Sequence, residues 1–162
     1  MDRLDRTLLE LFAAEPRVGV LEASRRLGVA RGTVQARLDR LQSSGVVSGW
    51  GPQLEPAALD HPVTAFLTLE IRQGPRQDRG TEGGHDAVGQ HLATIPELLE
   101  ACTITGPGDL WCRVVARSNT DLQRVIDRVL AHEGIVRCST VIALETQVPH
   151  RVLPLLGTVV EG

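Results

Sequence analysis

The sequence predicts an α+β protein of two domains: a helical N-terminal domain, then a domain in which strands and helices alternate. Two observations support this prediction. Residues 1–52 repeat apolar side chains at helical spacing around a glycine turn, and residues 63–148 follow the order strand, helix, strand, strand, helix, strand. A proline-rich linker is expected over residues 53–62, and a tail over residues 149–162.

The composition is that of an ordinary globular protein, with 162 residues of which 42% are hydrophobic and 23% charged. No run approaches the ~18 apolar residues of a membrane span. The N-terminal segment MDRLDRTLLE carries acids where a signal peptide would be basic and then apolar, so we expect a cytoplasmic protein. Cys102, Cys112 and Cys138 lack the C-x-x-C spacing of redox or metal motifs and are expected to be buried thiols.

Three helices are expected in the N-terminal domain. The first covers residues 4–14, with Asp5 as its N-cap. Gly28 supplies a tight turn after the second helix, and the third helix begins at Ala30 and ends at Gly45. Their predicted shared core is Leu4, Leu8, Leu11, Phe12, Val20, Leu27, Val34, Leu38 and Leu41. Helix, glycine turn and helix around one apolar side is the helix-turn-helix pattern.

The outer face of the third helix is suited to DNA. The net charge of −3 gives no sign of nucleic-acid binding, but five arginines and one acid lie between residues 25 and 40. Small outward residues allow close approach to a groove, arginines reach phosphates or guanine, and glutamine pairs with adenine. The candidate DNA-binding residues are Arg31, Thr33, Gln35, Ala36, Arg37 and Arg40, with Gln35 and Arg40 near bases and Arg31 and Arg37 near phosphates. The alternative is a helical hairpin with a solvated basic face.

The segment GVVSGWGPQLEP after the third helix suggests a short β-hairpin, the wing of a winged helix-turn-helix domain. This hairpin would cover residues 46–51. Trp50 lies within it, and we expect its indole to pack on the domain rather than to stack on DNA.

The C-terminal domain is expected to be ferredoxin-like, because its elements follow the split βαβ order. The domain is expected to begin at Val63 with the strand TAFLTLEIR, residues 64–72. The elements expected after it are a long loop over 73–84, a helix over 86–93, strands over 98–105 and 110–117, a helix opened by a capping box at Thr120 and closed by Gly134, and a strand over 135–148. The turn Gly106-Pro107-Gly108-Asp109 joins the second and third strands. Apolar residues of the tail, such as Leu153 and Leu155, require a partner surface.

Three segments together resemble the Lrp/AsnC (feast/famine) family of transcriptional regulators. They are LDRTLLELFAAEPRVGVLEASRRLGVARGTVQARLDRLQSSGVV, TGPGDLWCRVVA and GIVRCSTVIALETQV. The first segment is shared with other winged helix-turn-helix regulators, whereas all three in this order are fairly specific. The resemblance covers nearly the whole chain.

The resemblance implies a homodimer formed through the sheet, with tetramers or octamers as larger assemblies. It also implies an amino-acid effector bound between dimers, at the turn after the second strand. Carried over by motif, the effector-binding residues are Gly106, Gly108 and Asp109, because glycine amides can approach a carboxylate and an aspartate can accept from an α-ammonium. The alternative is that this segment is simply a good hairpin turn.

Two features depart from the family pattern. Ala30 stands where members usually have Ser or Thr, so the side-chain N-cap of the recognition helix is missing, at a cost of ~1 kcal/mol. The loop over residues 73–84 is longer than usual. Both the effector and the assembly assignments depend on the region around this loop.

The leading hypothesis is a regulator of transcription that binds a symmetric double-stranded DNA operator and responds to an amino acid. An effector-independent DNA-binding or architectural protein is one alternative, and a small-molecule sensor with DNA binding secondary is another. We expect no enzyme, cofactor or metal, because the five histidines are scattered and no H-x-x-x-H occurs. RNA binding is not expected either, because Trp111 is the only aromatic predicted on the middle strands of the exposed sheet face.

Overall fold

The computed structural model describes residues 1–72 and 84–159. The chain forms two compact units: one made of residues 1–52 with the chain from Val148 onward, the other of residues 53–147. The first unit is helical and the second combines a sheet with helices, which confirms the predicted α+β class.

Three helices form the first unit: α1 (Arg3–Ala14), α2 (Val20–Leu27) and α3 (Arg31–Ser43). Their apolar faces meet in one core, as predicted from the helical spacing. The fully buried members are Leu8, Ala23, Val34, Leu38 and Leu41. Leu4, which was expected in this core, is only half-buried. Gly28 ends α2 in the left-handed conformation, with φ of 65°, and so provides the predicted turn.

The N-terminus of α1 differs from the prediction. Asp2, not Asp5, is the N-cap, and its carboxylate accepts from the backbone N–H of Asp5 at 2.9 Å. Asp5 occupies the third helical position and accepts in return from the backbone N–H of Asp2 at 3.0 Å. The two carboxylates therefore form a reciprocal capping box, which the Asp-x-x-Asp spacing permits. At the N-terminus of α3, Ala30 supplies no side-chain cap, as predicted.

The predicted hairpin wing is wrong, because residues 46–51 form no strand. Gly45 turns the chain with φ of 76°, and the N–H of Val47 then donates back to the carbonyl of Leu41. The segment between Val47 and Pro52 is too short and too rich in glycine to form two paired strands. Trp50 packs edge-on against Phe12, with ring centroids 5.5 Å apart, so the expected packing role of its indole is confirmed.

The second unit begins with a 3-10 turn at Pro56–Leu59 and continues as βαββαβ. Its elements are β1 (Val63–Ile71), α4 (His85–Ala93), β2 (Leu98–Thr103), β3 (Leu110–Ala116), α5 (Asn119–Leu130) and β4 (Ile135–Ile142). The sheet order is β2-β3-β1-β4, and every neighbouring pair is antiparallel. This arrangement confirms the predicted ferredoxin-like order.

The core of the second unit lies between one face of the sheet and the two helices. Alternate residues of β1 (Ala65, Leu67, Leu69 and Ile71) are buried, as their period of two requires. They pack with buried residues of α4 and α5, among them Val88, Leu92, Leu122, Val125 and Val129. The loop predicted over residues 73–84 lies outside the described residues except for Gly84, which is the N-cap of α4.

Several predicted boundaries in this unit are wrong. β2 ends at Thr103 rather than at residue 105, and the ends of α4 and β3 differ by one residue from the prediction. Ser118, not Thr120, caps α5, because its hydroxyl accepts from the N–H of Asp121 at 3.1 Å. The same helix ends at Leu130, before Gly134. β4 ends at Ile142 rather than at residue 148, because the pairing of Ile142 with Ala65 is the last pair that β4 forms with β1.

The tail returns to the helical unit. Residues Leu153–Thr158 form a 3-10 turn that contacts α1, and Arg6 donates from Nη2 to the carbonyl of Val159 at 3.1 Å. The tail therefore lies on the helix-turn-helix unit of the same chain, but Leu153 and Leu155 remain 45% and 58% exposed, so this contact does not supply the partner surface predicted for them.

The cysteine prediction is only partly correct. Cys112 is buried in the sheet core, Cys138 is half-buried, and Cys102 is exposed. Cys102 lies on β2, at the edge of the sheet and opposite Trp111, so its side chain is on the face away from the helices.

Candidate DNA-binding face and effector turn

The outer face of α3 matches the orientation predicted from the helical wheel. Val34, Leu38 and Leu41 are buried against α1 and α2. Five of the six candidate DNA-binding residues are exposed: Arg31, Thr33, Gln35, Ala36 and Arg40. The sixth, Arg37, is half-buried at the border of the face. The helix thus presents a small-residue surface with polar groups beside it, a shape that a DNA groove accepts.

Two of the candidate arginines are tied to α1. Arg37 donates from Nη1 to Asp2 at 2.6 Å and to Asp5 at 2.7 Å. Arg40 donates from Nη2 to both carboxylate oxygens of Asp5, at 2.8 and 2.7 Å. A buried carboxylate needs such partners, because an unpaired buried charge is strongly destabilising. Arg40 is therefore held to α1 through Nη2.

The arginines determine how the two carboxylates titrate. The hydrogen bond from Arg37 lowers the pKa of Asp2 to about 2. Burial is the largest influence on Asp5 and opposes its ionisation, but the N–H of Asp2 and the guanidinium of Arg37 outweigh it and leave the pKa of Asp5 below its usual value. Both acids are therefore charged at neutral pH. Sequence reasoning missed this cluster, whose signal is the three-residue spacing shared by the two acids and the two arginines.

The remaining polar residues of the face are less constrained. Gln35 is exposed and donates from Nε2 to Asp39 one turn later, at 2.8 Å, a contact that does not use its amide oxygen as an acceptor. Within the described ranges, Arg31 makes no ion pair and no side-chain hydrogen bond. On α2, Arg26 is paired with Glu15 and Glu22.

The turn between β2 and β3 brings the three predicted effector residues together. Gly106 adopts φ of 122°, a conformation that favours glycine. A Cβ on Gly108 would lie 2.5 Å from Cγ2 of Thr68 and 3.1 Å from the carbonyl oxygen of Leu69, so the turn can pack against β1 only with glycine there.

Asp109 is held at the end of β1. Its Oδ2 accepts from the N–H of Ile71 at 2.8 Å, and its own N–H donates to the carbonyl of Leu69 at 2.8 Å. One oxygen of the carboxylate therefore has a structural role. Within the described residues, Oδ1 accepts no hydrogen bond and remains available to a ligand.

The sheet face opposite the helices carries an aromatic pair. Phe66 and Trp111 stack with ring centroids 5.3 Å apart, and the guanidinium of Arg113 lies 5.9 Å from each ring. Trp111 is therefore not the only aromatic on this face, which corrects the prediction. The two rings face each other and leave no separate stacking platforms of the kind that RNA-binding sheets present.

The described residues contain no group of three or more His, Cys, Asp or Glu side chains that could hold a metal ion. None of the described helices is long and apolar enough to cross a bilayer.

Comparison with known proteins gives matches over both units. Residues 1–42 match the AsnC-type helix-turn-helix domain, and residues 64–153 match the Lrp/AsnC ligand binding domain. The HTH-type transcriptional regulator FL11 of Pyrococcus furiosus is 25% identical over 155 residues, which are 96% of this chain and 97% of that protein. The regulatory protein AsnC of Escherichia coli is 24% identical over 155 residues, which are 95% of this chain and 97% of that protein.

A solved structure agrees with both matches. The feast or famine regulatory protein from M. tuberculosis, complexed with L-methionine, is 26% identical and superposes with a TM-score of 0.77, covering 93% of this chain and 97% of that chain. The two domain matches cover more than half of the sequence, in the order and with the folds described above. The chain therefore belongs to the Lrp/AsnC family of transcriptional regulators.

Proposed function

We propose that this regulator binds a symmetric double-stranded DNA operator as a homodimer, through the exposed face of α3, and that an amino acid modulates the binding. The observation that carries the DNA proposal is the outward placement of Gln35, Ala36 and Arg31 on a helix whose opposite side is buried. A dimer presents two such helices to successive major grooves about 34 Å apart.

Each candidate residue has a role that follows from its chemistry. Gln35 accepts from and donates to an adenine edge, while Ala36 permits close approach and contacts a thymine methyl. Thr33 and Arg31, near the start of the helix, contact phosphates or sugar. Arg37 and Arg40 contact phosphates with the N–H groups that their carboxylate partners leave free.

The outer face of the sheet is the proposed dimer surface. Phe66 and Trp111 lie at its centre, and Val141, which pairs with Phe66 across β1 and β4, is 66% exposed. An apolar face of this kind is expected to be covered by a second copy. Dimers can associate further into tetramers or octamers, and light scattering on the full chain measures the assembly directly.

The turn of Gly106, Gly108 and Asp109 is the proposed effector site. The Asp109 oxygen that accepts no hydrogen bond from the described residues can accept from an α-ammonium, and the glycine backbone of the turn admits a carboxylate. The complex of the M. tuberculosis relative with L-methionine supports an amino-acid effector for this chain. The protein is proposed to act on chromosomal DNA in the cytoplasm, without catalytic activity.

The test is selection of DNA from a random duplex library by the purified chain, with and without each proteinogenic amino acid. The proposal predicts enrichment of a sequence with two-fold symmetry and half-sites separated by about one helical turn or a multiple of it. Absence of any enriched sequence overturns the DNA proposal. Enrichment that no amino acid changes favours the effector-independent alternative.

A further inference from the structure

Four charged side chains form a closed cluster where α1 meets α3. Asp2 and Asp5 come from the first turn of α1, and Arg37 and Arg40 from successive turns of α3. Asp5 is only 1% exposed and receives both arginines, whereas the side chain of Arg40 is 58% exposed. The buried carboxylate of Asp5 thus holds the inner end of the cluster, and the two guanidinium groups lie between it and the surface.

The contacts leave part of each guanidinium unused. Arg37 reaches both acids through Nη1, and Arg40 reaches Asp5 through Nη2. Each guanidinium carries five N–H donors on three nitrogens. Within the described residues, Nη2 of Arg37 and Nη1 of Arg40 donate to no other group. A cluster that served only to neutralise charge would not require such a division of the donors.

We propose that Asp5 is a positioning residue for DNA recognition. It holds Arg37 and Arg40 by one nitrogen each, so that their remaining N–H groups are presented together to the phosphate backbone beside the groove. The carboxylate, guanidinium and phosphate then alternate in charge, and the docking angle of α3 is fixed relative to α1. This inference rests on the proposed DNA binding of α3 and adds a residue that itself touches no DNA.

Removal of the Asp5 carboxylate distinguishes this positioning role from simple masking, in which Asp5 only neutralises the positive charge of the two arginines. If Asp5 only masked positive charge, its removal would strengthen binding to every duplex, because the protein would gain one net positive charge. If Asp5 positions the arginines, its removal weakens binding to the selected operator, because two phosphate contacts lose their fixed register. The two roles therefore predict opposite changes.

The test compares Asp5→Asn with the wild type on the selected operator and on a scrambled duplex of equal length, by fluorescence anisotropy at one salt concentration. The matched control is Glu10→Gln, which makes the same charge change at an exposed position of α1. We expect Asp5→Asn to lose operator affinity on the order of tenfold, the size of one lost base-pair contact. Affinity for the scrambled duplex is expected to stay the same or to rise, and Glu10→Gln to keep the wild-type ratio.

The ratio of the two affinities distinguishes positioning from loss of folded protein, because partial unfolding reduces both affinities equally. Asp2→Asn, at a half-exposed position, provides a second variant if Asp5→Asn does not fold, and it is expected to lower the ratio less. A wild-type ratio in Asp5→Asn, or in Asp2→Asn where Asp5→Asn does not fold, overturns the positioning role, and stronger operator binding establishes masking instead. A wild-type protein that fails to separate operator from scrambled duplex would contradict the proposed function itself.

Discussion

Asp109 accepts a hydrogen bond from the backbone N–H of Ile71 through Oδ2, at 2.8 Å, across 38 residues of sequence. This contact fastens the turn between β2 and β3 to the end of β1, next to the bulge where β1 pairs with β4. The proposed effector turn is therefore held in place before any ligand arrives, and the structural and ligand-binding roles of Asp109 can be separated by substitution.

Asp109→Ala and Asp109→Asn are expected to behave differently. Alanine removes the acceptor for the N–H of Ile71 and is expected to lower the free energy of unfolding by about 1–3 kcal/mol. Asparagine can keep that hydrogen bond but lacks the negative charge that would pair with an α-ammonium. Thermal unfolding with and without the effector measures both. Full effector stabilisation in a folded Asp109→Asn variant would remove Asp109 from the binding site.

Gly108→Ala is expected to destabilise the second unit by about 1–3 kcal/mol, because its Cβ would overlap the side chain of Thr68 and approach the backbone of Leu69. Gly89→Ala is the matched control. It lies within α4, and a Cβ there meets nothing within 4 Å, so the substitution is expected to be neutral or stabilising. Chemical denaturation followed by the fluorescence of Trp111, in a Trp50→Phe background that isolates the second unit, compares the variants. Equal stability of the two would show that the turn can move away from β1.

The stability of the helical unit is expected to fall in acid. The pKa of Asp2 is lowered from 3.8 to about 2, and that of Asp5 is also lowered, so the folded unit favours their charged forms. Stability from a lowered pKa is present above the ordinary pKa and is lost as pH falls through the folded value, which here places the loss below about pH 4.

The probe for this acid effect is Trp50, because it lies in the first unit and Trp111 in the second. In a Trp111→Phe background, the denaturation midpoint reported by Trp50 is expected to stay level from about pH 6 to about pH 5 and to drop as the pH falls below about 4. The double variant Asp2→Asn/Asp5→Asn is expected to reduce that drop. An unchanged drop in the double variant would assign the acid sensitivity to other carboxylates.

The three cysteines are expected to differ in reactivity. Burial raises the pKa of Cys112 to about 12 and also raises the pKa of Cys138, so neither forms much of the nucleophilic thiolate at neutral pH. Cys102 is exposed and is expected to react first with a maleimide. Mass spectrometry of the native protein after brief labelling checks the order. Prior modification of Cys112 would show that the sheet core opens.

The sequence was most informative where apolar residues recur at regular spacing. It was most ambiguous where several polar residues could each cap the same helix. The buried stripe of α3 and the alternation of β1 follow directly from the spacing of their apolar residues, because each element packs one apolar face into a core. The order of the C-terminal elements follows from the same patterns. The apolar spacing could not choose among several polar residues that can each cap a helix, and Asp2 and Ser118 took places expected for Asp5 and Thr120.

Long-range polar contacts explain the other differences. The three-residue spacing of Asp2 with Asp5 and of Arg37 with Arg40 is a weak signal, because spacing alone does not pair residues that lie more than thirty positions apart in the chain. Likewise, the turn sequence around Asp109 does not reveal its contact with the backbone N–H of Ile71, which lies 38 residues earlier in the chain. The predicted wing failed because two valines and a tryptophan indicate a strand only when a partner strand is present.

The most direct test of the account is the base preference of Gln35. Fluorescence anisotropy would compare wild type and Gln35→Ala on the selected operator and on a set of operators that each carry one symmetric base-pair change. We expect the variant to lose discrimination at one pair of symmetry-related positions by roughly 1–3 kcal/mol and to keep it elsewhere. If Gln35→Ala discriminates at every position as the wild type does, the exposed face of α3 does not read the operator as described.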